Sequence, residues 1–222
     1  AYVAAADDFI VSMQVIVGSI QRGGRGVNAA ATFGMTKLEV PETEFWIRAA
    51  VPFADSSEDD IFADPGAHLL QRLIDLLEHP SPALVKSVRR ILKPLHADQM
   101  LGRFDSLRPS SRRRLGHVVE MIDPNTIECV RDALRHPVLT NRIQAIAMAD
   151  ALAAVDKLSD SFARIAHQDH QEARMQAATA MGSAKGTATL DLLRQMTNLP
   201  DCPVKDAAVE AIRKREKVAT AN

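Results

Sequence analysis

An all-α chain, an α-solenoid of stacked antiparallel helix pairs, is what this sequence predicts, and three observations carry the prediction. Apolar residues from position 67 onward recur at helical spacing. Proline, aspartate and His-Pro breaks punctuate them. The first helices of successive pairs begin near 67, 97, 124, 155 and 187, a period of about 30 residues, and self-similarity at such a period means stacked supersecondary units. Each pair is too small to bury its apolar face alone, so neighbouring pairs share one elongated core.

Two parts are expected, 1–66 and 67–222. In the first, Tyr2, Val3, Ala6, Phe9, Ile10, Met13, Ile16, Val17 and Ile20 fit an amphipathic helix that "GGRG" at 23–26 ends. A shorter helix runs from Asn28, as cap, to Leu38, and another from Pro41 to about Ala50. "DSSEDDIFADPG" at 55–66 reads as an acidic, turn-rich loop or linker. The whole segment is expected to be degenerate capping repeats or a separate small element.

The second part opens with the stripe Leu69, Leu70, Leu73, Ile74 and Leu77. Ser81-Pro82 then serves as N-cap and first helical residue, where proline's missing N–H costs nothing. Leu84, Val85, Val88, Ile91, Leu92 and Leu95 follow. Met100, Leu101, Phe104 and Leu107 predict a helix before a break at Pro109, and Leu115, Val118, Val119 and Ile122 one after it. Asp123-Pro124 opens a helix with Ile127, Val130 and Leu134. Beyond His136-Pro137 come Leu139, Ile143, Ile146, Ala147 and Leu152. Val155, Leu158, Phe162 and Ile165 precede the polar "HQDHQ" break. Ala173, Ala177, Ala180, Met181 and Ala184 make a small-residue face where helices approach closely. Leu190, Leu193 and Met196, then "NLPDCP", then Val204, Ala207, Ala208, Ala211 and Ile212 complete the chain.

"LLEHPSPALVKSVRRIL" at 76–92 and "ALRHPVLTNRIQAIAMADAL" at 133–152 share one layout, an apolar helix end, a His-Pro turn, a basic residue and an apolar helix. "DHQEARMQAATAMGSA" at 169–184 and "DCPVKDAAVEAI" at 201–212 carry the turn-acid, basic, small-apolar version, and "RPSSRRRLGHVVEMI" at 108–122 the most divergent one. Over residues 67–217 this pattern resembles the short HEAT-like repeat family, the kind also found in phycobilisome-lyase proteins. The resemblance implies a helical solenoid whose surface binds other proteins, and it identifies a fold rather than an activity.

The net charge of −1 conceals an asymmetry: residues 1–66 carry 4 basic and 10 acidic side chains, residues 67–222 carry 23 and 18. The two parts therefore present different surfaces to partners. Cys129 and Cys202 lie far apart with no C-x-x-C spacing, which points to a reducing, cytoplasmic setting. No run of 18 apolar residues exists. The chain opens on Ala rather than Met, so a piece of a larger protein or assembly is expected, with membrane association arising only through that parent.

Candidate chemistry is sparse. Lys86, Arg142, Arg174 and Lys205, with Arg112 or Arg113 in the divergent unit, recur at one repeat position. They form either a cationic ladder or, as the resemblance implies, internal partners of turn acids, Asp169 with Arg174 and Asp201 with Lys205. Arg112, Arg113 and Arg114, joined by Arg108, are the densest positive patch and the expected contact for a polyanion or protein partner. His79, His136 and His167 sit at helix ends, where a donor suits exposed carbonyls. His167-x-x-His170 with Asp169 and Glu172 lacks the convergent set zinc requires. "GRGVNA" at 24–29 matches a dinucleotide-binding pattern in letters but has no strand–helix alternation behind it. No nucleophile elbow, H-E-x-x-H or Walker loop occurs.

The expectation is a non-catalytic protein-interaction or scaffold module, not an enzyme, with no cofactor, no metal and no small-molecule substrate. The alternative is a nucleic-acid-binding protein of the HEAT-like alkyl-base DNA glycosylase type. That family implies tryptophans at the lesion, whereas Trp46 is the only tryptophan here and lies outside the clear repeats. A bilin lyase or chaperone role is suggested by the repeat type alone.

Overall fold

The computed structural model describes residues 2–21, 25–50, 64–104, 107 and 109–220. Among them the chain is all-helical, with thirteen α-helices, short 3-10 turns and no strand. It divides into two compact units, residues 1–99 with 121–123, and residues 100–120 with 124–222.

The first unit contains α1 (Tyr2–Gln21), α2 (Arg25–Lys37), α3 (Thr43–Ala50), α4 (Pro65–Asp75) and α5 (Pro82–Ile91). Helix α1 buries Phe9, Met13, Val17 and Ile20, one stripe at three- and four-residue spacing. It packs on α2 and α4, while α3 packs on α4 and α2 on α5. At the centre Phe9, Phe45 and Trp46 meet edge to face, with centroids 5.0–6.2 Å apart. Asp64 caps α4 by accepting from the N–H groups of Gly66 at 2.8 Å and Ala67 at 3.0 Å, with Pro65 in the first turn. Helix α4 then buries Leu69, Leu70, Leu73 and Ile74; four such side chains contribute roughly 6–12 kcal/mol of gross burial. Asp123 belongs to this unit too. Its carboxylate accepts from the Ala97 N–H at 3.2 Å, and the helix that follows it starts at Thr126.

The expected helix before Pro109 shortens to α6 (Ala97–Met100). Residues 101–103 turn, Gly102 sits among them, and Phe104 is still fully buried, so burial is achieved without the helix. The 55–66 loop lies almost wholly outside the described residues.

The second unit holds most of α7 (Pro109–Ile122), then α8 (Thr126–Ala133), α9 (Leu139–Ala151), α10 (Ser159–Gln168), α11 (Gln171–Met181), α12 (Thr187–Thr197) and α13 (Pro203–Thr220). Helix α9 packs on α11 and α11 on α13; α10 packs on α12; and each pair is closed by its own contact, α8 with α9, α10 with α11, α12 with α13. Small residues permit this. A Cβ on Gly116 would lie 2.4 Å from the Ala151 carbonyl oxygen, and one on Gly182 3.1 Å from Ala211. Ala173, Ala177, Ala208 and Ala211 are buried on the same stack. Among the described residues no helix is long and apolar enough to cross a membrane.

Candidate functional site

The recurring arginines of the second unit hold its turns. Arg142 lies in the first turn of α9, and its side chain is 14% exposed. Its guanidinium meets the Asp169 carboxylate at 2.6 and 2.7 Å in a bidentate pair, and donates to the carbonyls of His136 at 2.8 Å and Pro137 at 2.9 Å. One cation thus joins the turn before α9 to the turn before α11. Burial pushes the Asp169 carboxyl up. The Arg142 hydrogen bonds, the His170 N–H and the Arg142 and Arg164 charges outweigh it and hold the group below the usual aspartate range. Asp169 therefore takes Arg142 and not Arg174, whose Nε donates to the Ala166 carbonyl at 2.8 Å. Lys205 and Asp201 pair as expected, at 2.7 Å on an exposed surface.

A second lock gives no sign in the sequence. Asp156 accepts from the N–H groups of Lys185 at 2.9 Å and Gly186 at 2.8 Å, and from the Thr189 hydroxyl at 2.8 Å. A Cβ on Gly186 would lie 2.5 Å from that carboxylate, so only glycine leaves it room. Arg215 donates to the Gly186 carbonyl at 2.9 Å and to Thr189 at 3.3 Å. Here too burial pushes the carboxyl up and the donors, with the Arg215 charge, pull it below the ordinary value.

The histidines act in the sense opposite to the expected one. His79 Nδ1 accepts from the Ser81 N–H and His136 Nδ1 from the Val138 N–H, both at 3.1 Å, so each ring serves the start of the following helix rather than the carbonyls of the preceding one. The third such contact is made by His170, to the Glu172 N–H at 3.4 Å, not by His167. With Asp169 committed to Arg142, this stretch is a helix junction. Among the described residues no group of three or more His, Cys, Asp or Glu is placed to hold a metal ion.

The arginine patch is spread around its helix. Consecutive residues turn by about 100° on an α-helix. Arg113 is exposed, while Arg112 and Arg114 are half-buried. Arg112 Nε donates to the Leu107 carbonyl at 2.9 Å. Arg108 lies outside the described residues. Arg113 shares its exposed face with His117 and Met121.

The feature that sequence reasoning missed is a recess in the first unit, about 510 Å³ in volume. Helix α2 lines it with Asn28, Ala29, Thr32, Phe33 and Thr36, and Ser81 and Ala83 close it from the start of α5. Thr32 and Thr36 spend their hydroxyls on the carbonyls of Asn28 and Phe33, both at 2.7 Å. Phe33 is 65% exposed, and Lys37 Nζ stands 5.2 Å from its ring centroid. Met35 and Ala31 mark the buried face of α2, and Phe33 lies roughly 200° from each of them, which was the available clue. Separately from the recess lining, helix α1 leaves Val11 and Val15, one turn apart, 60% and 65% exposed.

The sequence matches no protein-family model and no curated protein.

Proposed function

We propose that this chain is a non-catalytic protein-interaction module built as a solenoid of HEAT-like helix pairs. The packing of α9 on α11 on α13, with α10 on α12, supports the layered reading of the second unit. The observation that carries the interaction role is a group of large apolar side chains left in solvent among the described residues of the first unit: Val11, Val15 and Phe33, with Met121 less exposed. Their exposure costs about 1.5–3 kcal/mol apiece relative to burial; Val11 and Val15 stand one turn apart on α1 and Phe33 borders an apolar recess, and exposed apolar groups in such settings mark docking surfaces. The charged groups of the second unit support the same reading, because Asp156, Asp169, Arg142 and Arg215 are tied into turns rather than turned toward a substrate. Trp46 is fully buried against Phe9 and Phe45, so it has no face to offer a nucleobase.

The test is affinity capture from the native source, comparing wild type with a Val11→Ser, Val15→Ser, Phe33→Ser variant that retains helical circular dichroism. A stoichiometric protein partner held by the wild type and lost by the variant is expected. Release of an alkylated base from DNA by the purified chain would overturn the reading.

A further inference from the structure

We infer that the recess between α2 and the start of α5 is a docking groove for an acidic amphipathic helix of a partner protein, which seats apolar side chains on Phe33 and sets carboxylates against the flanking cations. This rests on the interaction-module reading and names the partner's chemistry.

The shape argues for an inserted helix. Ala29, Thr32, Phe33 and Thr36 stand at i, i+3, i+4 and i+7, so they form one straight stripe along α2. The two threonine hydroxyls are turned back onto the α2 backbone, which leaves methyl groups as the wall. Ala83 supplies a small opposite wall. A stripe of this period accepts the i, i+3/i+4, i+7 anchors of a second helix, the recurring helix-in-groove mode. A bilayer surface meets protruding side chains and cannot enter a recess between two helices.

The charge fixes the sign of the occupant. Neither lining helix, "RGVNAAATFGMTK" or "PALVKSVRRI", contains an Asp or Glu. Lys37, Lys86, Arg89 and Arg90 are all exposed on them. Lys37 already sits over the Phe33 ring, and Arg90 reaches across to the Met35 carbonyl, which places its charge beside α2. Outside α2, residues 1–66 carry 10 acidic and 2 basic side chains, so the acid-free α2 stands against the local trend. Asn28 lines the same recess with an enclosed Oδ1 that lacks a hydrogen-bond partner, and turning its amide outward gives the occupant one polar contact.

The experiment uses the full chain and two designed helical peptides of about 15 residues with identical Leu/Phe anchors, one carrying Glu on its remaining positions and one carrying Lys. Fluorescence anisotropy gives affinity, and amide chemical-shift mapping gives location. The acidic peptide is expected to bind, with shifts at Ala29, Phe33 and Ala83, and the basic peptide at least about tenfold more weakly. Phe33→Ser should weaken the acidic peptide about tenfold or more, and Lys37→Glu with Lys86→Glu should exchange the preference between the two peptides. Equal binding of both peptides, or Phe33-dependent binding only to phosphatidylserine vesicles or to single-stranded DNA, would overturn the groove's assignment. Shifts confined to another surface would remove the groove but keep an interaction module. No binding by either peptide, alongside a captured protein partner that survives Phe33→Ser, would do the same.

Discussion

In the second unit Arg142, Arg164, Arg174 and Arg215 each donate to a backbone carbonyl at a helix end or turn, and two aspartates gather the facing N–H groups. In the first unit Arg90 does this at Met35, while Lys37 stands exposed over Phe33 at the apolar recess and Lys86 and Arg89 are exposed on α5. Both units carry the same His-Pro turn, at 79–80 and 136–137, followed by a cation. The arginine in one case is a tie between layers, and the lysine in the other is surface charge. A planar five-donor guanidinium can hold a carboxylate and two carbonyls at once, whereas a lysine is a hydrated point charge on a flexible stem. The cation after the His-Pro turn therefore serves cohesion in one unit and stays in solvent in the other.

The change expected to break the second unit outright is Ala177→Asp. Ala177 is fully buried on α11, the helix between α9 and α13. An unpaired carboxylate there costs several kcal/mol, or stays protonated in a site that still has no room for it. A far-UV circular dichroism melt should show a large loss of helix or a midpoint lowered by tens of degrees. An unchanged midpoint would put Ala177 on an open face and refute the stacking order.

Next in size is the contrast between Asp169→Ala and Lys86→Ala. Removing Asp169 leaves the Arg142 guanidinium largely buried without its carboxylate, which costs about 3 kcal/mol. Lys86→Ala touches an exposed group and should stay within about 0.5 kcal/mol. The acid limb adds a sign. The Asp169 carboxyl is depressed in the folded state, so its contribution is complete above the ordinary aspartate value and is lost as pH falls through the lower folded value. Urea titrations below about pH 4 should show a steeper loss of stability for wild type than for Asp169→Asn. Equal slopes, or equal costs for Asp169→Ala and Lys86→Ala, would erase the distinction between the two units.

This contrast marks where the sequence is readable. The helices after residue 67 follow from apolar spacing, and Ser81-Pro82 is placed where a cap and N1 proline belong, because these are local signals. The repeat resemblance pairs Asp169 with Arg174, five residues on in the chain. The actual partner, Arg142, is 27 residues away and becomes adjacent only when α9 and α11 pack. The helix expected through Leu107 fails although its apolar residues are present, since Phe104 can be buried from a turn. Phe33 lies inside the helix expected from Asn28 to Leu38, and nothing local distinguishes it there. Its outward direction follows only once Met35 and Ala31 are known to face inward, and α2 is too short for its pattern to fix that face by itself. The arginine triplet was legible as charge, but three successive positions fan around α7.

A smaller effect asks whether the shared His-Pro turn has the same value in both settings. His79→Ala and His136→Ala each remove one imidazole acceptor from a helix-start N–H, worth about 1 kcal/mol. His136 also meets Asn141 Nδ2 through Nε2 at 3.2 Å, and its carbonyl is one of the Arg142 acceptors. The His136 variant should therefore cost slightly more, read as the difference in chemical denaturation midpoints. A larger cost at His79 would reverse the assignment of the tighter turn to the second unit.

The smallest expected effect is a gain. Helix α9 ends in a Schellman arrangement: the Ala153 N–H donates to the Asp150 carbonyl at 3.0 Å and the Ala154 N–H to the Ala149 carbonyl at 2.9 Å. Glycine is the usual residue at the left-handed position of this motif, yet the chain has alanine there, with φ of 51°. A Cβ in that region costs about 1 kcal/mol. The neighbours hold it in place: Leu152, Ala154 and Val155 are buried, and the Ser183 hydroxyl donates to Asp150 one turn earlier. Ala153 is itself exposed, so Ala153→Gly deletes no packing and relieves the strain, while the unfolded chain gains the extra freedom of glycine. The relief and the entropic loss partly offset, and a net stabilisation of about 0.5 kcal/mol is expected in urea denaturation. A net destabilisation would mean that the turn does not need the left-handed conformation, and that the tightness attributed to the second unit stops short of this helix end.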